Sequence, residues 1–225
     1  MYKTEPHLHV SEVSPCARLS AREAIRLYAE AGYHTVFVSD HLKKVFYDKH
    51  EGISWAEKTD RFLMGYELAK EVGREYGVTV LLSAELQLCE SSKHYLLYGF
   101  DRDFLNARQD LFDMSIAEFY AYAKENGVTV IQAHPYRDGA KGPAFPYIDA
   151  VEAYNSNPRH ENHSECGFAF AKEKGIPVTA GSDTHRDEDV ALTGVLTDTP
   201  IESAEDYVRL VMSGSARIIG WEENT

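Results

Sequence analysis

The chain has little cysteine, an excess of acid over base, and no long apolar run. Its three cysteines, at positions 16, 89 and 166, are odd in number and not closely paired, which argues against a disulfide scaffold. No apolar stretch approaches the roughly 18 residues needed to cross a bilayer. The opening Met1-Tyr2-Lys3-Thr4-Glu5 has no apolar signal-peptide core, so a cytoplasmic protein with no membrane association is the expectation. Lys and Arg number 23 against 36 Asp and Glu, for a formal net charge of −13. Such a balance speaks against a broad surface tracking the phosphates of long nucleic acid, which needs clustered cations. A surface biased for solubility accounts for most of the acidity, and ligands for cations can account for the rest. A small anionic substrate held by metal ions stays compatible. Missing too is a glycine-rich dinucleotide fingerprint after the first strand, which weighs against a doubly wound nucleotide-binding sheet.

What is present is an ordinary globular composition, 44% apolar over 225 residues. That is enough for one domain spanning residues 1–225, since an α/β barrel takes about 250 residues. Ser20-Ala21-Arg22-Glu23 has capping-box form and predicts an amphipathic helix bearing Ile25, Leu27, Tyr28 and Ala31 and ending at Gly32. Further helices are predicted from Trp55 to Tyr76, from Ser115 to Gly127, from Ser164 to Lys174 and from Ala204 to Met212. Between them, short apolar and β-branched runs read as buried parallel strands. These are the run up to His9, Thr35 to Ser39, Val78 to Leu86, Tyr95 to Phe100, Val128 to Ala133, Ile148 to Tyr154 and Pro177 to Gly181, with Thr193 to Thr197 as an addition. The alternation predicts a single α/β barrel with its strands parallel.

The chemistry-bearing residues cluster where these strands stop. His7 and His9 close the first, Asp40-His41 the second, and Glu85 lies at the end of the third. His134 follows Val128 to Ala133, and Asp183 with His185 follows the Pro177 run. In a parallel barrel the C-terminal strand ends share one face, so residues about 180 positions apart meet in one pocket. Imidazoles and carboxylates converging there are ligands for divalent metal ions, and they point to a metal-dependent hydrolase.

His7-Leu8-His9, Ser39-Asp40-His41, Glu85, His94, His134-Pro135 and Gly181-Ser182-Asp183-Thr184-His185, taken in order, resemble the motif set of the PHP (polymerase and histidinol phosphatase) superfamily over about residues 5 to 197. The resemblance implies a distorted seven-stranded (β/α) barrel, TIM-like, with two or three divalent metal ions and phosphate-ester hydrolysis. It implies that His7, His9, Glu85 and Asp183 hold one ion. Glu85 bridges to a second held by His94 and His134, and His41 with His185 holds a third. Asp183 and His185 are the expected catalytic positions. A carboxylate has two oxygens and can bridge cations, and a hydroxide between them becomes the nucleophile on phosphorus. Zinc, manganese and iron all suit such ligands.

One departure concerns the stretch after His9, Val10-Ser11-Glu12-Val13-Ser14-Pro15-Cys16, where the family supplies a further His or Asp. Cys16 as thiolate, Glu12, or a weak or vacant third position are the alternatives. Asp40 alternates away from His41 and reads as a supporting partner. His34 begins a strand at the opposite barrel end, and His50, His160 and His163 read as surface residues. For substrate binding, Arg137 presents a planar fork suited to phosphate, and Asn155 ends a strand within reach. Arg159 and Lys43 are further cations nearby. The loops Lys43 to Ser54 and Asp138 to Tyr147 are the expected pocket walls. The functional expectation is hydrolysis of a small phosphate ester, histidinol-phosphatase-like or directed at nucleotides. The alternatives are an exonuclease or editing module acting on nucleic acid ends and a catalytically silent metal-binding domain.

Overall fold

In the computed structural model, residues 1–221 are described. Among the described residues ten strands occur: β1 (Tyr2–Leu8), β2 (Thr35–Val38), β3 (His41–Lys43), β4 (Thr79–Gln87), β5 (His94–Tyr98), β6 (Thr129–Gln132), β7 (Ala150–Asn155), β8 (Val178–Gly181), β9 (Val195–Thr197) and β10 (Arg217–Ile218). They pair in the order β10-β9-β1-β2-β4-β5-β6-β7-β8, with β3 added along β4. The two sides of this path meet where Leu8 bridges Thr184. At this join the His9 amide donates to the Thr184 carbonyl at 3.0 Å and the Thr184 amide to the His7 carbonyl at 3.1 Å. The result is a nearly closed barrel.

Every predicted strand is present, but the strands are not all parallel. β5 runs antiparallel to both β4 and β6, and β9 is antiparallel to β1 and β10. The connection from Leu88 to Lys93 is a short hairpin, too short for the crossover that a parallel pair needs. β3 and β10, of three and two residues, were not legible in the sequence because runs so short carry no periodicity. They raise the strand count above the expected seven.

Period-two alternation sorts each strand between the barrel interior and the outer layer. Val36 and Val38 pack outward with Ile25, Tyr28 and Val72. Phe37 points inward to a cluster with Leu96, Tyr98, Ile131 and Tyr207. Phe37 meets Tyr98 edge-on at 5.1 Å and Tyr98 meets Tyr207 at 4.6 Å. Tyr207 belongs to the helix Ala204–Met212, whose preceding residue Ile201 accepts a bond from the Thr35 hydroxyl at the start of β2. This helix closes the barrel floor, so the opposite mouth remains for the site.

The helices start and stop as their sequences dictate. Ser20 with Glu23, Ser54 with Glu57 and Ser115 with Glu118 each complete a reciprocal capping box. Gly77 ends the helix Trp55–Tyr76 in the left-handed region at φ 70, a conformation open to glycine at little cost. The Lys43 loop is less irregular than expected, since β3 leads into the short helix Lys44–Asp48.

Candidate metal centre

The mouth residues converge on Glu85, which is 1% exposed. Its Oε1 lies 2.9 Å from both His94 Nδ1 and His134 Nε2, and its Oε2 lies 2.6 Å from His41 Nδ1. His7 Nε2 is 3.6 Å from Oε1, and His9 Nε2 is 3.8 Å from Oε2. Asp183 Oδ1 faces the same point, 3.5 Å from His7 Nε2 and 3.3 Å from His9 Nε2. The antiparallel hairpin explains His94. It begins β5 instead of ending a strand, and reversal of that strand places its first residue at the mouth beside Glu85.

The donors fall into three groups whose atoms lie within 4.8 Å of one another: His7, His9 and Glu85; Glu85, His94 and His134; and His9, His41 and His185. His9 stands in the first and third groups, where the sequence reading placed it in the first alone. Glu85 Oε2 and His41 Nδ1 are buried without a hydrogen-bond partner, although they are close, and such orphaned donors suit a shared cation better than each other. The residues present therefore fit divalent ions.

Electrostatics agree. Burial opposes ionisation of Glu85 and Asp183, yet the surrounding histidines hold both well below the usual carboxylate range. Burial and the neighbours His41 and His185 keep His9 well below its ordinary value, so it is the neutral imidazole a metal requires. At His7 burial is overruled by Glu152 and Asp183, which raise it to about 10, and at His41 Glu85 helps raise it to about 9. A cation entering the centre would displace these protons.

Sequence reasoning missed the support around these donors. Glu152 in β7 is 1% exposed. Its Oε1 accepts from His7 Nδ1 at 2.8 Å, and its Oε2 accepts from the His134 amide at 3.0 Å and from Asn155 Nδ2 at 2.9 Å. A carboxylate held at the ring nitrogen remote from the metal fixes tautomer and orientation. The signal was there, an acid in the middle of an apolar strand. Gly181 is required beside it, because a Cβ there would stand 2.5 Å from both Glu152 Oε1 and His7 Cβ. Glu152→Gln is expected to weaken metal binding roughly 10- to 100-fold, and an unchanged zinc titration would remove this role. Glu5, also buried, accepts from the His7 and Ser182 amides and from the Tyr28 hydroxyl, and burial raises its carboxyl to about 7.

The remaining predicted residues divide. Arg137 lines the cavity, with Nη2 donating to Asp183 Oδ2 at 2.6 Å and Asn155 Oδ1 at 2.8 Å, and Nε to Asn162 Oδ1 at 2.8 Å. Asn155 does not itself reach the cavity. It is 3% exposed, and its amide is spent on Arg137 and Glu152, so it acts by holding them. Glu12 is turned away, accepting from the Ala21 amide at 3.0 Å. Cys16 is at the cavity, its Sγ 3.1 Å from His41 Nε2. Burial raises its thiol, but His185 and His41 outweigh this and bring it down to about 6. Asp40 accepts from the Val10 amide and the Ser14 hydroxyl. His160 is exposed, as expected, and stands on the cavity rim bonded to Asp138 at 2.7 Å. His134 and Asp183 both have positive φ, 29 and 51, a strain that clusters at functional sites. The cavity measures about 460 Å³, and its wall bears Lys43, Lys93, Arg137, Arg159 and Arg186.

No curated protein matches the sequence. Residues 166–215 match the PHP-associated family model. The fold resembles that of a two-domain protein from Bacteroides vulgatus containing a predicted PHP-like metal-dependent phosphoesterase, with TM-score 0.67 at 13% identity. That match covers 96% of this chain and 64% of the other, so the chain spans less than two thirds of its length. A protein from Bifidobacterium adolescentis, named as a candidate metal-dependent phosphoesterase, gives TM-score 0.59 at 16% identity, covering 98% and 99%. The lesion-specific endonuclease PfuEndoQ from Pyrococcus furiosus gives 0.62 at 12%, covering 97% and 57%. The matched segment is PHP-associated, and the barrel as a whole has the fold of these proteins.

Proposed function

We propose that the protein is a metal-dependent hydrolase of a small phosphate ester, working as a single-domain barrel. The observation that carries this reading is the packing of six histidines with the two carboxylates Glu85 and Asp183 beneath a cationic mouth. A mouth rich in Lys and Arg on a chain of net charge −13 concentrates anions where the donors lie. A cavity of about 460 Å³ matches sites that enclose small molecules.

His7, His9, Glu85 and Asp183 would hold one ion, Glu85 with His94 and His134 a second, and His41 with His185 a third position. Bound there, divalent ions supply an acidified water and charge neutralisation at phosphorus. The protein's own groups prepare that place. Glu152 orients His7. The Asp183 carbonyl accepts from His185 Nδ1 at 2.9 Å, which leaves the other ring nitrogen of His185 to the cavity. Asp183 also anchors Arg137, whose Nη1 has no protein acceptor among the described residues. This Nη1 is the donor offered to a phosphoryl oxygen, and it fixes the ester in line with attack.

Such a clamp contacts ground state and transition state alike. Arg137→Ala is expected to raise KM roughly ten-fold, from the ~1.5–3 kcal/mol of a hydrogen bond to a charged group, with a smaller fall in kcat and unchanged metal content. Steady-state kinetics on the best substrate decide this, and wild-type constants would make Arg137 purely structural. The reading as a whole is tested by assaying metal-reconstituted protein against phosphomonoesters, phosphodiesters, nucleotides and DNA ends. Turnover of small monoesters supports it. Selective cleavage of DNA would favour the second reading, a nuclease, which the likeness to PfuEndoQ motivates. Inertness towards every substrate would favour a silent metal-binding domain.

A further inference from the structure

We propose that His160 is a general acid for the ester reaction, giving the proton on Nε2 to the departing oxygen while Asp138 holds the ring from its other side. The inference rests on the phosphate-ester reading above and names a residue outside the three donor groups. His160 Nδ1 lies 2.7 Å from Asp138 Oδ2, and both side chains line the cavity that contains Glu85, His134, Asp183 and Arg137. The bond to His160 holds the Asp138 carboxyl below its usual range. An ionised carboxylate only accepts, so Nδ1 carries a proton and Nε2 is the nitrogen left to exchange one. A carboxylate placed in this way fixes the tautomer of an imidazole and steadies its charged form.

The two loops that carry the pair are tied to each other and to the centre. The Asp138 amide donates to the Glu161 carbonyl at 2.8 Å, and the Glu161 amide returns a bond to Asp138 Oδ1 at 3.2 Å. One residue to either side, Arg137 Nε donates to Asn162 Oδ1 at 2.8 Å. Arg159, next to His160, is gripped through both Nη atoms by the buried Asp189 at 2.6 and 2.7 Å. The same Asp189 accepts from the His185 amide at 2.9 Å. Asn157 Nδ2 donates to the Asp183 carbonyl at 3.1 Å. His160 is thus exposed on a segment whose position relative to the donors is set by its neighbours, as a proton donor needs.

Arg137 and Asp183 are in contact at 2.6 Å, which places phosphorus deep in the cavity. The alcohol portion of the ester then points to the rim, where His160 and Asp138 stand. A water oxygen bonds to phosphorus, the ester P–O bond breaks, and its electron pair goes to the leaving oxygen, which takes the Nε2 proton. The proton shed by the attacking water passes to solvent, and solvent returns one to His160. Ester and water become alcohol and phosphate. The guanidinium groups on the wall cannot replace His160, because arginine is not deprotonated in proteins.

The test uses the whole, metal-reconstituted protein and two monoesters, 4-nitrophenyl phosphate and glycerol phosphate. Nitrophenolate leaves without a proton, whereas an alkoxide needs one. His160→Gln should lower kcat on glycerol phosphate by at least roughly 100-fold, the lower end for a positioned acid. Its loss on 4-nitrophenyl phosphate should be at least about ten-fold smaller, since proton transfer matters less for a weakly basic oxygen. Asp138→Asn, which tolerates the positive φ of 50 at this position, should show the same split and cost nothing further when added to His160→Gln. Nitrogen-15 spectra of histidine-labelled protein, assigned by the loss of a signal in His160→Gln, should place the proton of the neutral ring on Nδ1. Equal losses on the two esters, or a neutral ring protonated on Nε2, would overturn the acid role while leaving the hydrolase reading intact. Wild type inert towards both esters would overturn both.

Discussion

Glu85→Gln should lose activity by at least roughly 100-fold, the upper end typical even for residues that only support a metal site. The substitution keeps the shape of the side chain but removes the charge that serves both sides of the centre. Oε1 faces His94 and His134, while Oε2 faces His41, and an amide offers an acceptor on one side alone. His34→Asn is the matched control. His34 is exposed at the start of β2, edge-on to Tyr2 at 4.8 Å, at the barrel end away from the mouth. Its activity should stay within about a factor of two, as for surface substitutions generally. Equal losses in the two variants would mean that Glu85 acts only through folding.

Stripping the metals should cost nearly all activity and a measurable part of the stability. Two-metal hydrolysis needs ions about 3.5–4 Å apart, so elemental analysis of protein purified without chelator should return about two or more per chain. An ion present at 100 times its Kd, and bound to the native state alone, contributes about 2.7 kcal/mol. For a domain of this size that corresponds to a fall in Tm of roughly 5–11 °C on chelation. Activity should return with zinc, manganese or iron. A stoichiometry of zero after each reconstitution, with Tm unchanged by chelator, would sink the metal-dependent reading.

Much of this architecture was legible because its signals are local. Ser20, Ser54 and Ser115 start helices by side-chain bonds reaching three residues, and Gly77 and Gly175 stop them by a conformation other residues avoid. Strand direction is different in kind. Tyr95, Leu97 and Tyr98 alternate identically whichever way β5 runs, and only pairing with β4 and β6 settles it. His94 was therefore placed by its motif and not by its position on a strand. The ligand-type residues were visible as histidines and acids at the ends of apolar runs. Of their supports only Glu152 left a trace, as an acid within an apolar strand; the roles of Glu152, Glu5 and Asn162 are contacts set by tertiary packing. Asn155 shows the same limit from the other side, since chain position put it near the mouth but packing turned its amide to Arg137 and Glu152.

The join of the barrel has a consequence for how its two halves of chain stay together. His7 and His9 lie on one lip of the join and Asp183 and His185 on the other, with Leu8 and Thr184 bridging between them. Backbone bonds there are few, so this line of the wall is lightly fastened. An ion held by His7, His9 and Asp183 would act as a clasp across it, drawing together segments separated by nearly the whole sequence. Closure of the wall and assembly of the active centre would then be one event, and a barrel that gapes at this line would release its cations as it opens.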